Sequence, residues 1–199
     1  MADKALLRAV YAAELRNGEA TVEGVAAELG ESPALVRGRV VESEREGLVK
    51  SKPSSTALTE LGRSHLKVVM IGGAFEIIHP GHIHTIAEAK KLGDTLVVVV
   101  AADKTVSKNK GREPVTPQEW RVRLISALRE VDVAIPGGLG SIYDTLEKVK
   151  PDVVALGYDQ KHNPQDIEKE AVKRGMKVRV VRLTSPLPDV KTSKIVGAI

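Results

Sequence analysis

Gly72-Gly73-Ala74-Phe75-Glu76-Ile77-Ile78-His79-Pro80-Gly81-His82 is the densest run in the chain. It follows an apolar stretch at 67–71 that reads as a strand, and it leads into a helical pattern over 82–92. Glycine-rich chain between a first strand and a helix start is where α/β proteins hold phosphate. The first N–H groups of a helix have no intrahelical partners, and the helix dipole favours an anion there. His79 falls in the approach to the helix and His82 in its first turn, so both imidazoles can donate to one phosphate. Gly81 between them lets the backbone come close. A His-x-x-His pair can also hold a metal, with His84 nearby. No carboxylate or Cys cluster stands beside it in sequence, so a protein-held metal is not expected.

Outward from this run, strand and helix alternate. Strands are expected at 67–71, 95–102, 131–135, 152–156 and 177–183, and helices at 82–92, 117–130, 141–149 and 164–174. Near-continuous apolar runs such as 96–102 belong to parallel strands covered on both faces. The alternation predicts an α/β fold, a Rossmann-like, doubly wound, parallel five-stranded sheet. Ligands of such sheets sit beyond the C-terminal strand ends. A basic loop is expected there after the second strand, carrying Lys104, Lys108, Lys110 and Arg112, with positive charge suited to a triphosphate or an incoming phosphate.

Residues 1–64 have a different periodicity. Leu7, Val10, Tyr11 and Leu15 keep one face of a first helix, and Val22, Val25, Ala26 and Leu29 keep one face of a second, capped by Thr21. Ser32 followed by Pro33 starts a third helix that Gly47 stops. Two short strands flank a Pro-Ser-Ser turn, and a helical stretch follows from Thr59. Three helices and a two-stranded hairpin make the winged helix-turn-helix plan. Two domains are therefore expected, 1–64 and 65–199.

Composition sets limits on the chemistry. The 199 residues carry 30 Lys+Arg, 26 Asp+Glu and no Cys, for a net charge of +4. Disulfides, Cys-based zinc sites and thiol nucleophiles are excluded. A 42% hydrophobic share supports a packed core. The longest apolar run, 96–102, is far short of the roughly 20 residues that span a bilayer. Charged residues interrupt the N-terminus, so no signal peptide and a cytoplasmic location are expected. Few Asn and Gln with many charged residues is the thermophile pattern. Residues 1–64 have a net charge of −1 and residues 65–199 a net charge of +5, so the positive excess lies with the candidate phosphate site.

The run Gly73-x-Phe75-Glu76-x-x-His79-Pro80-Gly81-His82 resembles the signature of the cytidylyltransferase-like nucleotidyltransferases, and the resemblance covers about residues 66–196. It implies an enzyme in which an acceptor phosphate attacks the α-phosphorus of a nucleoside triphosphate and pyrophosphate leaves. On that basis His79, His82, Lys110 and Arg121 are the candidate catalytic residues. Arg121 is included because Pro117-Gln-Glu-Trp-Arg121 is similar to the family's phosphate-contacting Glu-x-Arg helix start. Gly72, Gly73, Ala74, Phe75 and Gly81 would line the nucleotide, with Gly157 and Asp159 from the segment Leu156-Gly157-Tyr158-Asp159-Gln160. Thr192 and Ser193 match the family's C-terminal phosphate motif, within Val190-Lys191-Thr192-Ser193-Lys194-Ile195. That motif lacks the usual Arg immediately upstream, and Arg182 is the expected substitute. Lys108, Arg112, Trp120 and Tyr158 are candidate acceptor contacts. Mg²⁺ or another divalent cation is expected with the triphosphate.

Within this superfamily the chain most resembles the archaeal FAD synthetases, which implies FMN and ATP giving FAD and pyrophosphate. CTP transfer to glycerol 3-phosphate or a similar phosphoalcohol is the runner-up. A reading of another class is a transcription regulator whose winged helix binds DNA and whose α/β region senses a ligand. Arg37, Arg39, Arg45, Lys50 and Lys52 would form its basic patch, although Glu42, Glu44 and Glu46 crowd the end of the third helix. A homodimer is a further expectation from the resemblance.

Overall fold

The computed structural model describes residues 2–184 and 195. The chain divides into two compact units that part between Lys67 and Val68.

The first unit packs α1 (Lys4–Asn17), α2 (Val22–Leu29) and α3 (Pro33–Arg45), followed by the antiparallel strands β1 (Val49–Ser51) and β2 (Thr56–Leu58) and the short helix α4 (Glu60–Ser64). Each long helix begins where a short polar side chain caps it. Asp3, Thr21 and Ser32 accept from the backbone N–H of Leu6, Gly24 and Leu35. Leu6, Leu7, Val10, Val25 and Val36 are fully buried at its centre. Gly62 has a steric reason to be glycine, because a Cβ there would lie 1.9 Å from the carbonyl oxygen of Leu48.

The second unit is a five-stranded sheet in the order β5-β4-β3-β6-β7, every neighbouring pair parallel. Its strands are β3 (Val68–Gly73), β4 (Thr95–Val100), β5 (Val133–Pro136), β6 (Val153–Leu156) and β7 (Arg179–Arg182). The helices are α5 (Pro80–Lys90), α6 (Asp103–Lys110), α7 (Gln118–Ser126), α8 (Ile142–Val149) and α9 (Pro164–Lys173). Every residue of β4 is buried, as a central strand covered on both faces requires. The chain winds from β3 outward through β4 to β5, then crosses back to place β6 on the other side of β3. That reversal opens a crevice beyond the C-terminal ends of β3 and β6, the place where open α/β sheets bind ligands.

The basic segment after the second strand of this sheet is not a loop but the helix α6, begun at Asp103 and stopped by Gly111 at φ +68°. Only Val106 of its eight residues is buried, so it carries no apolar stripe to announce a helix. The expected helix over 117–130 also ends early, at Ser126.

Candidate active site

β3 delivers Gly72 and Gly73 to the crevice, and the chain then turns sharply. Phe75 takes a left-handed conformation, φ +49°, and is 4% exposed. A Cβ on Gly73 would come within 2.9 Å of the Phe75 ring, so this glycine makes room for the ring. His79 is the N-cap of α5 and Pro80 opens its first turn. The His79 side chain makes no capping hydrogen bond, which leaves the helix N-terminus open to an external anion.

His79 and His82 stack, with ring centroids 3.8 Å apart and planes at 25°. The Phe75 ring lies 5.2 Å from that of His82. The Nδ1 atoms of both histidines are buried and have no hydrogen-bond partner among the described residues. Burial pushes the His79 imidazole below its ordinary pKa. His82 is pushed down to about 4, first by burial and then by the charge of His79 and of Lys110. The backbone at Ile77 and the carboxylate of Asp159 pull the other way. Both rings are therefore neutral near pH 7, each with an unsatisfied buried nitrogen. Such an atom costs about 1–3 kcal/mol until a partner arrives.

The three residues after Gly73 are fixed one by one. Arg121 donates to the carbonyl of Ala74. The Phe75 side chain enters the core of the sheet. Glu76, whose side chain is wholly buried, receives the ammonium of Lys110 and the guanidinium of Arg112, the latter at 2.8 Å. The N–H of Val115 also donates to Glu76, at 3.1 Å. Burial raises the Glu76 carboxyl, but the hydrogen bonds from Arg112, Lys110 and Val115 prevail and hold it down at about 2.

Lys110 and Arg112 thus meet the loop at Glu76, while Arg121 is turned inward. It is fully buried and donates to Thr116 O at 3.1 Å, Ala101 O at 2.8 Å and the Asp103 carboxylate at 2.6 Å, besides Ala74. Four of the five donors of a guanidinium are then used inside the protein. Through these bonds Arg121 holds the loop in place. Lys108 and Trp120 are exposed on α6 and α7, outside this bonded set.

Across the crevice, the loop after β6 is tied to the end of β3 by one side chain. Gln160 accepts from the N–H of Gly157 at 3.0 Å and donates to the carbonyl of Gly72 at 2.7 Å. Arg182, the expected substitute for a phosphate-binding arginine, instead donates to the carbonyls of Gly157, Gln160 and His162. Tyr158 and Asp159 sit in the loop that these bonds hold. Thr192 and Ser193 lie outside the described residues. Among the described residues no group of three or more His, Cys, Asp or Glu side chains gathers to hold a metal ion.

Sequence reasoning gave no role to Glu76 or Gln160. A carboxylate set in the apolar run Phe75-Glu76-Ile77-Ile78, upstream of a Lys- and Arg-rich stretch, was the available signal for Glu76. Gln160 carried none.

A parallel sheet with a glycine-rich, doubly histidine-bearing turn at its reversal point defines a Rossmann-type nucleotide-binding protein. The chain belongs to the cytidylyltransferase-like family, whose profile matches residues 70–198. It is 50% identical over 118 residues to the FAD synthase of Ferroglobus placidus, covering 59% of this chain and 76% of that one. It is 44% identical over 134 residues to the FAD synthase of Pyrococcus horikoshii, covering 66% of this chain and 90% of that one. A solved structure from Thermoplasma volcanium, described as a lipopolysaccharide core biosynthesis protein, is 45% identical with a TM-score of 0.58. That match covers 60% of this chain and 98% of the other.

Proposed function

We infer that the protein is a nucleotidyltransferase that joins FMN to ATP, forming FAD and releasing pyrophosphate. The observation that carries this reading is the pair of stacked imidazoles, each with a buried and unpartnered nitrogen, at the open N-terminus of α5. The choice of FMN and ATP rests on the FAD synthases at 41–50% identity among the relatives. A phosphate oxygen of FMN attacks the α-phosphorus of ATP in line as the bond to the β-phosphate oxygen breaks. The acceptor is already anionic, so no strong base is required. Catalysis then consists of positioning and of donors aimed at developing charge.

His79 and His82 donate to the triphosphate oxygens on which charge builds. Lys110 and Arg112, on the Glu76 side of the loop, supply positive charge to phosphate. The loop held by Gln160 and Arg182 lines the nucleoside. A divalent cation would come with the triphosphate and would supply positive charge to its phosphates. The test is product formation from purified protein given FMN or glycerol 3-phosphate with each nucleoside triphosphate in turn. FAD and pyrophosphate from FMN and ATP are the expected products. Turnover of CTP with glycerol 3-phosphate instead would replace this reading by the cytidylyltransferase one.

The first unit has a separate reading as a winged helix that binds DNA, favoured by its three helices and antiparallel hairpin. Its cations are unequal. Arg39 is engaged by Asp3 and Glu31 and Arg37 by Glu23, whereas Arg45, Lys50 and Lys52 are exposed at the end of α3 and on the hairpin. The hairpin end would therefore carry the phosphate contacts. Salt-dependent retention of the full chain on duplex DNA, reduced by Lys50→Gln with Lys52→Gln, is the expected result. A homodimer is proposed with the family resemblance and is read by sedimentation. Among the described residues no helix is long and apolar enough to cross a membrane. A cytoplasmic location suits the proposed substrates.

A further inference from the structure

Glu76 is a charged group at the centre of the site with no part in the chemistry above. Its side chain has no exposure, whereas those of Lys110 and Arg112 remain 30% and 35% exposed. One buried carboxylate thus holds two cations that come from different segments, the end of α6 and the turn beyond Gly111. Arg112 spans both carboxylate oxygens, with Nη1 to Oε1 at 2.8 Å and Nη2 to Oε2 at 3.3 Å. The ammonium of Lys110 meets Oε2. Two adjacent cations repel each other at close range unless an anion lies between them, and long side chains free in solvent lose entropy on binding. Glu76 removes both costs in advance and leaves a net positive charge facing outward. It also sits three residues before His79, on the strained turn that presents the imidazoles.

We propose that Glu76 is a positioning residue, holding Lys110 and Arg112 together as a preformed cationic pair for a phosphate group of the substrates. This rests on the reading of the site as one that handles phosphate. The phosphate can be that of the acceptor or part of the triphosphate, and the two are distinguished by which substrate is affected. A role confined to folding would lower stability without changing the behaviour of the folded enzyme toward either substrate.

The experiment is steady-state kinetics on the full chain with Glu76→Gln and Glu76→Asp, alongside binding of inorganic tripolyphosphate and of FMN by calorimetry. Glu76→Gln is expected to raise KM for one substrate about tenfold or more while kcat changes by less than about threefold. The substrate affected identifies the phosphate. Glu76→Asp, which keeps the charge on a shorter arm, is expected to recover part of that loss. A folded Glu76→Gln enzyme with both KM values and both affinities unchanged overturns the proposal.

Should Glu76→Gln fail to fold, the same question is put to Lys110→Gln/Arg112→Gln with and without Glu76→Gln. If Glu76 acts through the two cations, the third substitution adds nothing to KM or to tripolyphosphate affinity. A further loss on adding it overturns the proposal. If the unaltered protein makes no FAD, the binding measurements still decide the role of Glu76, and it is the assigned reaction that fails.

Discussion

The imidazoles of His79 and His82 lie face to face, 3.8 Å between centroids, at the N-terminus of α5. Two imidazolium charges at that separation would repel by about 4 kcal/mol at an effective dielectric of 20. The stack therefore favours neutral rings, and burial pushes His82 the same way. The arrangement follows from the local sequence. His79 caps the helix in extended conformation, Pro80 fixes its first turn, and His82 comes around beneath it.

The His82 shift makes a prediction for pH dependence. Its folded pKa of about 4 lies below the unfolded value of 6.5, so the unfolded chain binds the extra proton between them. Stability is unaffected by this group above pH 6.5 and falls as the pH drops from there toward 4. Glu76 behaves differently, because its depressed pKa contributes stability that is lost only as pH falls from about 4.5 toward 2. Urea midpoints between pH 7.5 and pH 4 are expected to fall more for the unaltered protein than for His82→Gln. Equal declines would show that His82 does not carry the shift.

Replacing His82 tests its chemistry directly. His82→Ala removes one donor aimed at developing charge, for which a loss of about 10²–10³ in turnover is expected. It also removes the ring that stacks on His79 and bonds the backbone at Ile77, so a modest loss of thermal stability is expected. The measurement is FAD formation together with a melting curve on the same preparation. Full activity in a folded His82→Ala enzyme would take the imidazole out of the mechanism.

How far the sequence revealed this site can be traced residue by residue. β4 was legible because its run of apolar residues allows little but a buried parallel strand. The turn at Gly72–His82 was legible because glycines and histidines there have few other uses. Helix α6 was hidden, since Val106 is its single buried residue. Glu76 was hidden because its partners lie 34 and 36 residues along the chain, and Gln160 because its carbonyl acceptor at Gly72 is 88 residues away. The inward turn of Arg121 was hidden for a different reason. Arginine is usually exposed, and nothing in a linear sequence shows one turning its head group inward.

That buried guanidinium yields a stability prediction. Arg121→Met keeps much of the volume but leaves the Asp103 carboxylate and the carbonyls of Ala74, Ala101 and Thr116 without this donor. Because the Asp103 side chain is 40% exposed, the cost comes mainly from the carbonyls left without a donor, about 1–3 kcal/mol. Denaturant unfolding should show a loss of that size, with activity falling because the Ala74–Glu76 turn loosens. A stable Arg121→Met protein defective only in phosphate binding would restore the role expected from sequence.

Gly72 and Gly73 are adjacent in β3, yet they should respond differently to alanine. At Gly72 a Cβ would meet only the carbonyl of Val99 at 3.8 Å, an ordinary contact, and a strand interior favours alanine over glycine. Gly72→Ala should therefore leave stability within about 0.5 kcal/mol of the original. At Gly73 the added carbon would press on Cε2 and Cζ of Phe75 at 2.9 Å. The ring cannot easily withdraw, because its backbone is held at φ +49° and Ala74 and Glu76 are bonded on either side. Overpacking of this kind costs about 1–3 kcal/mol, and displacement of the ring would carry to His82, 5.2 Å away. Gly73→Ala should accordingly lose both stability and activity, and Phe75→Leu in the same chain should return part of the stability. Equal stability of the two alanine variants would mean that the Phe75 ring does not brace the histidine turn.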